Sequence, residues 1–260
     1  MNPWEAAALG FIQGATEFLP VSSSGHLVVA QEVLGIHVHG VLFEVTVHVA
    51  TLLSVLIVYR RRIVELLRGM AAGEAQAWRY AAFLVLATIP AGVVGIFWKD
   101  AVEALFESAV APGIALLVTG TFLWTARWAM ARSRDASPAA GSALAMGVAQ
   151  AFALIPGLSR SGSTVVTGLW MGVDAREAAA FSFLMAVPAI AGAAVLQIPE
   201  LGAAAGPGWI PLLVGGVVAA VTGVLAIRFF VEMLDRRAFH LFAPYCWVVG
   251  GGYLLWLAIR

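Results

Sequence analysis

Six apolar stretches, roughly 41–60, 78–98, 112–131, 177–198, 209–230 and 239–259, dominate this chain of 260 residues. Each holds about 20 residues, enough for a helix rising 1.5 Å per residue to cross a hydrocarbon layer of ~30 Å. Such a chain folds as a polytopic membrane protein. Composition agrees, because 12% charged residues is about half the supply that covers a soluble domain. With 61% hydrophobic residues, a soluble enzyme, a disordered chain, a coiled coil and a collagen-like chain are all excluded. The apolar runs are continuous rather than alternating, so the spans are helices and not strands of a barrel. The predicted fold class is all-α.

Net charge is zero, which points to no nucleic-acid partner. The single cysteine, Cys246, forbids an internal disulfide and a multi-cysteine metal site, and is expected to pack as a small apolar residue in the last span. The N-terminus lacks a basic n-region and carries Glu5 and Glu17, so no cleavable signal peptide is expected.

Two further apolar regions, 3–35 and 142–173, are broken near their middles by Pro20–Gly25 (PVSSSG) and Pro156–Gly162 (PGLSRSG). Two short helices joined by such a turn predict a re-entrant hairpin, tolerated at membrane depth only inside protein or beside a wet cavity. A shift of 137 residues aligns Gly10 with Gly147, Gln13 with Gln150, Ser22 with Ser159, Ser24 with Ser161 and Gly25 with Gly162. The expected organisation is one membrane domain, 1–260, built from a duplicated unit of hairpin plus three spans. Repeat one covers about 1–131, a linker 132–141, and repeat two about 142–260.

Arginine placement supplies topology. One cluster is Arg60, Arg61, Arg62, Arg68 and Arg79; a second is Arg127, Arg132, Arg134 and Arg176; a third is Arg228, Arg236 and Arg237. With six spans all twelve fall on one side, which is then cytoplasmic. The other side receives Lys99 and Arg260 beside Asp100, Glu103, Glu107 and Glu200. The hairpins then enter from opposite faces, and the repeats are inverted, an arrangement known from transporters with midplane sites.

Charges within the hydrocarbon zone are costly and point to function. They are few: Glu17, Glu44 and Arg160, with His26 and His48 as titratable companions. If the hairpin tips meet, Glu17, His26, Arg160 and the serines Ser22, Ser23, Ser24, Ser159 and Ser161 converge. A guanidinium, helix N-termini and hydroxyls suit a phosphate. A nearby carboxylate and imidazole add a proton acceptor, so the set suggests reaction rather than binding alone. Plainer readings stay open. Serines in apolar helices also bond the i−4 carbonyl or join helices. A buried Glu–Arg pair also fixes packing. Glu44 and His48, at i and i+4, are close enough to bond each other, in a structural or supporting role. His37, His39 and His240 read as interfacial, and the nine tryptophans mostly as interface anchors.

The stretch Gln13–His26 (QGATEFLPVSSSGH) resembles the first signature of the undecaprenyl-pyrophosphate phosphatase family, the bacitracin-resistance type. Pro156–Thr164 (PGLSRSGST) resembles its second, and Phe43-Glu-Val and Phe181–Pro188 (FSFLMAVP) are similar to other family landmarks. The resemblance spans nearly the whole chain. It implies a bacterial inner-membrane enzyme that hydrolyses undecaprenyl pyrophosphate to undecaprenyl phosphate, the carrier of cell-wall precursors, and inorganic phosphate. It further implies a site opening to the periplasm, a divalent cation (Mg²⁺ or Ca²⁺) and a homodimer. Carried over by position, Glu17 matches the glutamate that activates or orients the nucleophile, and Ser23 and His26 the two positions discussed as nucleophile. Arg160 matches the phosphate clamp, and Ser22, Ser24, Ser159, Ser161 and Thr164 match hydroxyls lining the pocket. Gln13 stands where many members have a second glutamate. Its amide is a weaker ligand for a hard cation than a carboxylate, which counts against a two-carboxylate metal site and leaves Glu17 as the candidate ligand. Two other classes are weighed. Inverted repeats also suit a carrier of the lipid phosphate, which needs no nucleophile. An intramembrane serine protease would leave Arg160 without a role.

Overall fold

The computed structural model describes residues 1–36, 42–134, 136–198 and 208–259. His37, His39, Glu200 and Arg260, to which interfacial or topological places were assigned, lie outside the described residues, as does Asp135 of the linker. Among the described residues every regular element is a helix.

The first hairpin is α1 (Pro3–Phe18) and α2 (Ser23–Leu34). Three spans follow. The first is α3 (Leu42–Val58), bent 75° into the arginine-bearing α4 (Arg60–Ala71), and the second is α5 (Ala75–Phe97). The third is α7 (Ala111–Trp124) with the short α8 (Ala126–Ala129), preceded at a 100° bend by α6 (Lys99–Glu107). The second hairpin is α9 (Ala140–Phe152) and α10 (Arg160–Trp170); α11 (Ala175–Leu196), α12 (Trp209–Asp235) and α13 (Phe242–Ile259) complete the fold. Four helical segments, α5, α11, α12 and 239–259, are long and apolar enough to cross a membrane alone, and the two bent pairs bring the number to six. The six spans and both hairpins fall where the apolar runs put them. The amphipathic α4 and α6 are additions: their charges suit a membrane surface and not its interior, so the chain turns sharply there.

The hairpins enter from opposite ends. Along α1, Gly10 abuts Gly215, Gly14 abuts Ala219, and Phe18 reaches Gly223, so α1 descends beside α12 in four-residue steps and stops halfway along it. The feet of hairpin two lie at the other end, where Asp174 N–H donates to Ala136 O (2.9 Å) and Arg134 N–H to Gly172 O (3.2 Å). The arginine-rich loops gather at this end: Arg62 donates to Glu177 (2.8 Å), and Arg176 holds Asp235 with two bonds of 2.7 and 2.8 Å. Beneath the tips, edge-to-face pairs Phe18–Phe183 (5.5 Å), Phe183–Phe230 (4.9 Å) and Phe230–Phe239 (5.0 Å) tie α1 to α11, α12 and the 3₁₀ turn before α13.

Close approach between α1 and α12 depends on glycine, as in small-xxx-small pairs of membrane helices. A Cβ on Gly14 would overlap the Ala219 carbonyl oxygen and the Thr222 hydroxyl. Gly14→Ala is therefore expected to cost about 1–3 kcal/mol, read as a fall of several degrees in Tm in detergent. An unchanged Tm would show that α1 is not held against α12.

Candidate active site

Pro20 ends α1. A proline disfavours helical backbone in the residue before it, and Leu19 is extended (φ −61°, ψ 145°), which leaves Glu17 in the last turn. Two residues on, Ser22 adopts φ 68°, an uncommon conformation for a residue with a Cβ. Its Oγ then caps α2 by accepting from Gly25 N–H (3.3 Å), and Ser23 becomes the first helical residue. The second hairpin repeats this construction. Ser159 Oγ accepts from Gly162 N–H (3.1 Å), caps α10, and makes Arg160 its first residue. Ser22 and Ser24 hydroxyls lie 3.3 Å apart, as do those of Ser159 and Ser161.

The tips meet. Ser161 Oγ donates to Leu19 O (3.3 Å), and Cβ atoms added at Gly25 and Gly162 would stand 2.9 Å from Gly157 Cα and 3.1 Å from Pro20 Cβ. Each turn is braced from outside. Thr119 of α7 donates to Gly157 O (2.8 Å) and accepts from Ser159 N–H (3.1 Å), while Cys246 of α13 packs buried with its Sγ 3.8 Å from Pro20 O.

This docking places Glu17, 8% exposed, against unlike partners. Its Oε2 accepts from Ser23 Oγ at 2.5 Å and from Gln13 Nε2 at 3.0 Å, and its Oε1 accepts from Arg160 Nη2 at 2.6 Å. A hydroxyl donating to a carboxylate at this separation is a strong, charge-assisted bond, aligned for proton transfer. Arg160 Nη1 also reaches Ser182 O (3.4 Å) on α11. Carboxylate and guanidinium compensate each other away from water, and the remaining guanidinium N–H groups stay available to a phosphate.

The imidazole is not the expected one. His26 Nδ1 donates to Ser22 O (2.8 Å), and Nε2 accepts from the hydroxyl of Tyr245 (2.9 Å), whose ring lies parallel to it. Both nitrogens are therefore engaged away from Glu17. The ring facing the carboxylate is His48, with Nε2 3.9 Å from Glu17 Oε2. Nor do Glu44 and His48 bond through their side chains: His48 Nδ1 donates to the Glu44 carbonyl (2.8 Å), and the Glu44 carboxylate accepts from Gln31 (3.3 Å). Thr164 is fully buried, with its Oγ1 2.6 Å from Ser182 Oγ and bonded to Arg160 O (2.8 Å), so it fastens α10 to α11 and does not line the site. His240 stacks edge-on to Trp124. Tyr245, Ser182 and Thr119 complete the surroundings of the tips. Ser182 sits within the Phe181–Pro188 segment, whereas no local pattern marks Thr119 or Tyr245.

No cluster of three His, Cys, Asp or Glu suited to a metal occurs among the described residues. Gln13 Oε1 is buried without a hydrogen-bond partner, on the amide whose Nε2 donates to Glu17 Oε2; turning that amide over would bring its oxygen to the carboxylate side, and Mg²⁺ commonly takes one carboxylate together with substrate phosphates.

Along hairpin one lies an apolar groove of about 670 Å³, lined by Phe11, Ala15, Val29, Val33 and Phe242, with His26 and Tyr245 in its wall. A polar cluster at the tips and an apolar groove beside it suit a lipid with a charged head.

Comparisons with known proteins point the same way. The family model described as "Bacitracin resistance protein BacA" matches residues 6–252. An undecaprenyl-diphosphatase of Desulfatibacillum aliphaticivorans is 39% identical, over 98% of this chain and 99% of its own. Those of Desulforapulum autotrophicum and Methanobrevibacter smithii are 40% and 37% identical, each alignment covering 96% of both chains. With two facing hairpins, a buried Glu–Arg pair at their tips and full-length similarity of this order, the chain belongs to the bacitracin resistance protein BacA family.

Proposed function

We propose that this multi-pass membrane protein is an undecaprenyl-diphosphatase, which hydrolyses undecaprenyl pyrophosphate to undecaprenyl phosphate and inorganic phosphate and so recycles a lipid carrier for cell-wall synthesis. The observation that carries the reading is the Ser23–Glu17–Arg160 arrangement, a hydroxyl and a guanidinium on the two oxygens of one buried carboxylate. Phosphoryl transfer needs positioning and charge stabilisation more than covalent help. Arg160 and the amides at the start of α2 and α10 hold the pyrophosphate. Ser23 Oγ attacks the terminal phosphorus while its proton passes to Glu17 Oε2; the P–O bond to the lipid phosphate breaks, and the departing phosphate takes that proton from Glu17. The regenerated Glu17 carboxylate then deprotonates a water that attacks the phosphoserine; the Oγ–P bond breaks, Glu17 returns the proton to Ser23 Oγ, and inorganic phosphate leaves. His48 stands behind Glu17 as a polar support. His26, bonded at both nitrogens, shapes the wall beside the groove that takes the first isoprene units.

Gln13 Oε1 and Glu17 would hold a divalent cation, Mg²⁺ or Ca²⁺, which would neutralise pyrophosphate charge. Gln13→Leu is expected to raise several-fold the Mg²⁺ concentration giving half-maximal rate after chelation; an unchanged requirement would place the cation elsewhere. We assign the mouth of the site to the periplasmic face of a bacterial inner membrane. Supporting this, hairpin one and its groove occupy the half of the bundle opposite the arginine-rich loops.

The test is phosphate release from undecaprenyl pyrophosphate by protein purified in detergent. Micelles have no second leaflet, so a carrier without phosphatase activity would release none, and that outcome would overturn the assignment.

A further inference from the structure

At the arginine-rich end a second groove of about 520 Å³ opens between α3, α11 and α12. Its rim carries Arg62, Arg176 and Arg228 with Glu177 and Asp235, and its wall Val58, Ala180 and Val231. Arg62 and Arg176 are neutralised by Glu177 and Asp235. Arg228 has no carboxylate within ion-pair distance among the described residues, which leaves the groove one positive charge in excess.

Position makes that charge unusual. Arg228 is seven residues before the end of α12, about 10 Å down the helix axis. It continues a face that is otherwise apolar and exposed: Val217 (54%), Val221 (57%) and Leu225 (59%), spaced by four, four and three residues. A stripe with these exposures on a spanning helix faces lipid tails. An unpaired guanidinium near the end of such a helix reaches toward the interface, where an anionic headgroup can meet it. Basic pockets between spans at the cytoplasmic surface are suited to anionic lipid headgroups.

We infer that this groove is a binding site for an anionic phospholipid of the leaflet at the arginine-rich end. The lipid phosphate lies against Arg228 at the rim, and an acyl chain runs along Val221 and Val217. Charge and shape select this occupant. A free anion would satisfy Arg228 but leave Val58, Ala180 and Val231 wet, whereas a zwitterionic lipid brings no net charge.

The test uses the full-length protein in detergent, titrated with phosphatidylglycerol and followed by native mass spectrometry and Tm. Arg228→Gln is expected to weaken phosphatidylglycerol binding about fivefold, as one basic residue at a membrane surface would, and to abolish the lipid-induced rise in Tm. Arg61→Gln, the same charge change on the exposed face of α4 outside the groove, should leave both intact, and Arg228→Lys should keep most of the binding if the fold is preserved. Equal loss in Arg61→Gln, no loss in Arg228→Gln, equal binding of phosphatidylcholine, or competition by millimolar inorganic phosphate would overturn the proposal. So would a binding loss that coincides with dissociation of a dimer, which would make the groove a contact with a second copy.

Discussion

Arg160→Ala is expected to lower kcat/KM for undecaprenyl pyrophosphate by about 10³-fold or more, the range over which phosphate-clamping arginines act. Two losses combine. The phosphate loses its permanent cation, and Glu17 loses the partner that fixes one of its oxygens at 2.6 Å. A buried carboxylate stripped of its partner costs about 3–5 kcal/mol, so Tm should fall as well. Arg160→Lys separates the two effects. An ammonium can still neutralise Glu17, but it cannot serve Glu17, the Ser182 carbonyl and a phosphate in one fork. The lysine variant should therefore regain Tm while recovering little activity. Wild-type turnover in the alanine variant would remove Arg160 from the site altogether.

Ser23 and His26 should separate just as widely. Ser23→Ala is expected to abolish measurable phosphate release, a loss of at least about 10³-fold, because it deletes the hydroxyl proposed as nucleophile, which donates to Glu17. His26→Ala should cost about tenfold, because it removes a groove wall and the Ser22 carbonyl contact that steadies the turn. His48→Gln, which keeps a polar group behind Glu17, should be milder still. Single-turnover trapping followed by mass spectrometry provides an independent reading: phosphate on Ser23 supports this order, and phosphate on His26 reverses it.

How far the amino-acid order reveals this molecule depends on which force acts. Spans and hairpins are legible because a bilayer penalises every charge and every unpaired amide, so Arg160 and Glu17 stand out in a 61% hydrophobic chain. Ring orientation is not. His26 turns away because Tyr245, 219 positions later, offers it a hydroxyl, and no local pattern announces a partner that distant. The i, i+4 pair Glu44–His48 misleads for a related reason. A histidine Nδ1 close to the preceding turn takes the backbone carbonyl, which frees Nε2 to point toward Glu17. Thr164 shows the same limit, since its hydroxyl is claimed by Ser182 of the next helix.

Ser23 and Arg160 begin equivalent helices, and a shift of 137 positions carries one onto the other. The same shift carries Glu17 onto Leu154. Two copies of the first half, paired as these halves are paired, would put a serine where Arg160 stands and leave the buried Glu17 carboxylate with no cation beside it. Two copies of the second half would set guanidinium against guanidinium with no base and no hydroxyl at that place. Division of labour between like scaffolds is therefore a condition of the site's neutrality as well as of its chemistry. Once the halves differ in this way, neither can be replaced by a copy of the other.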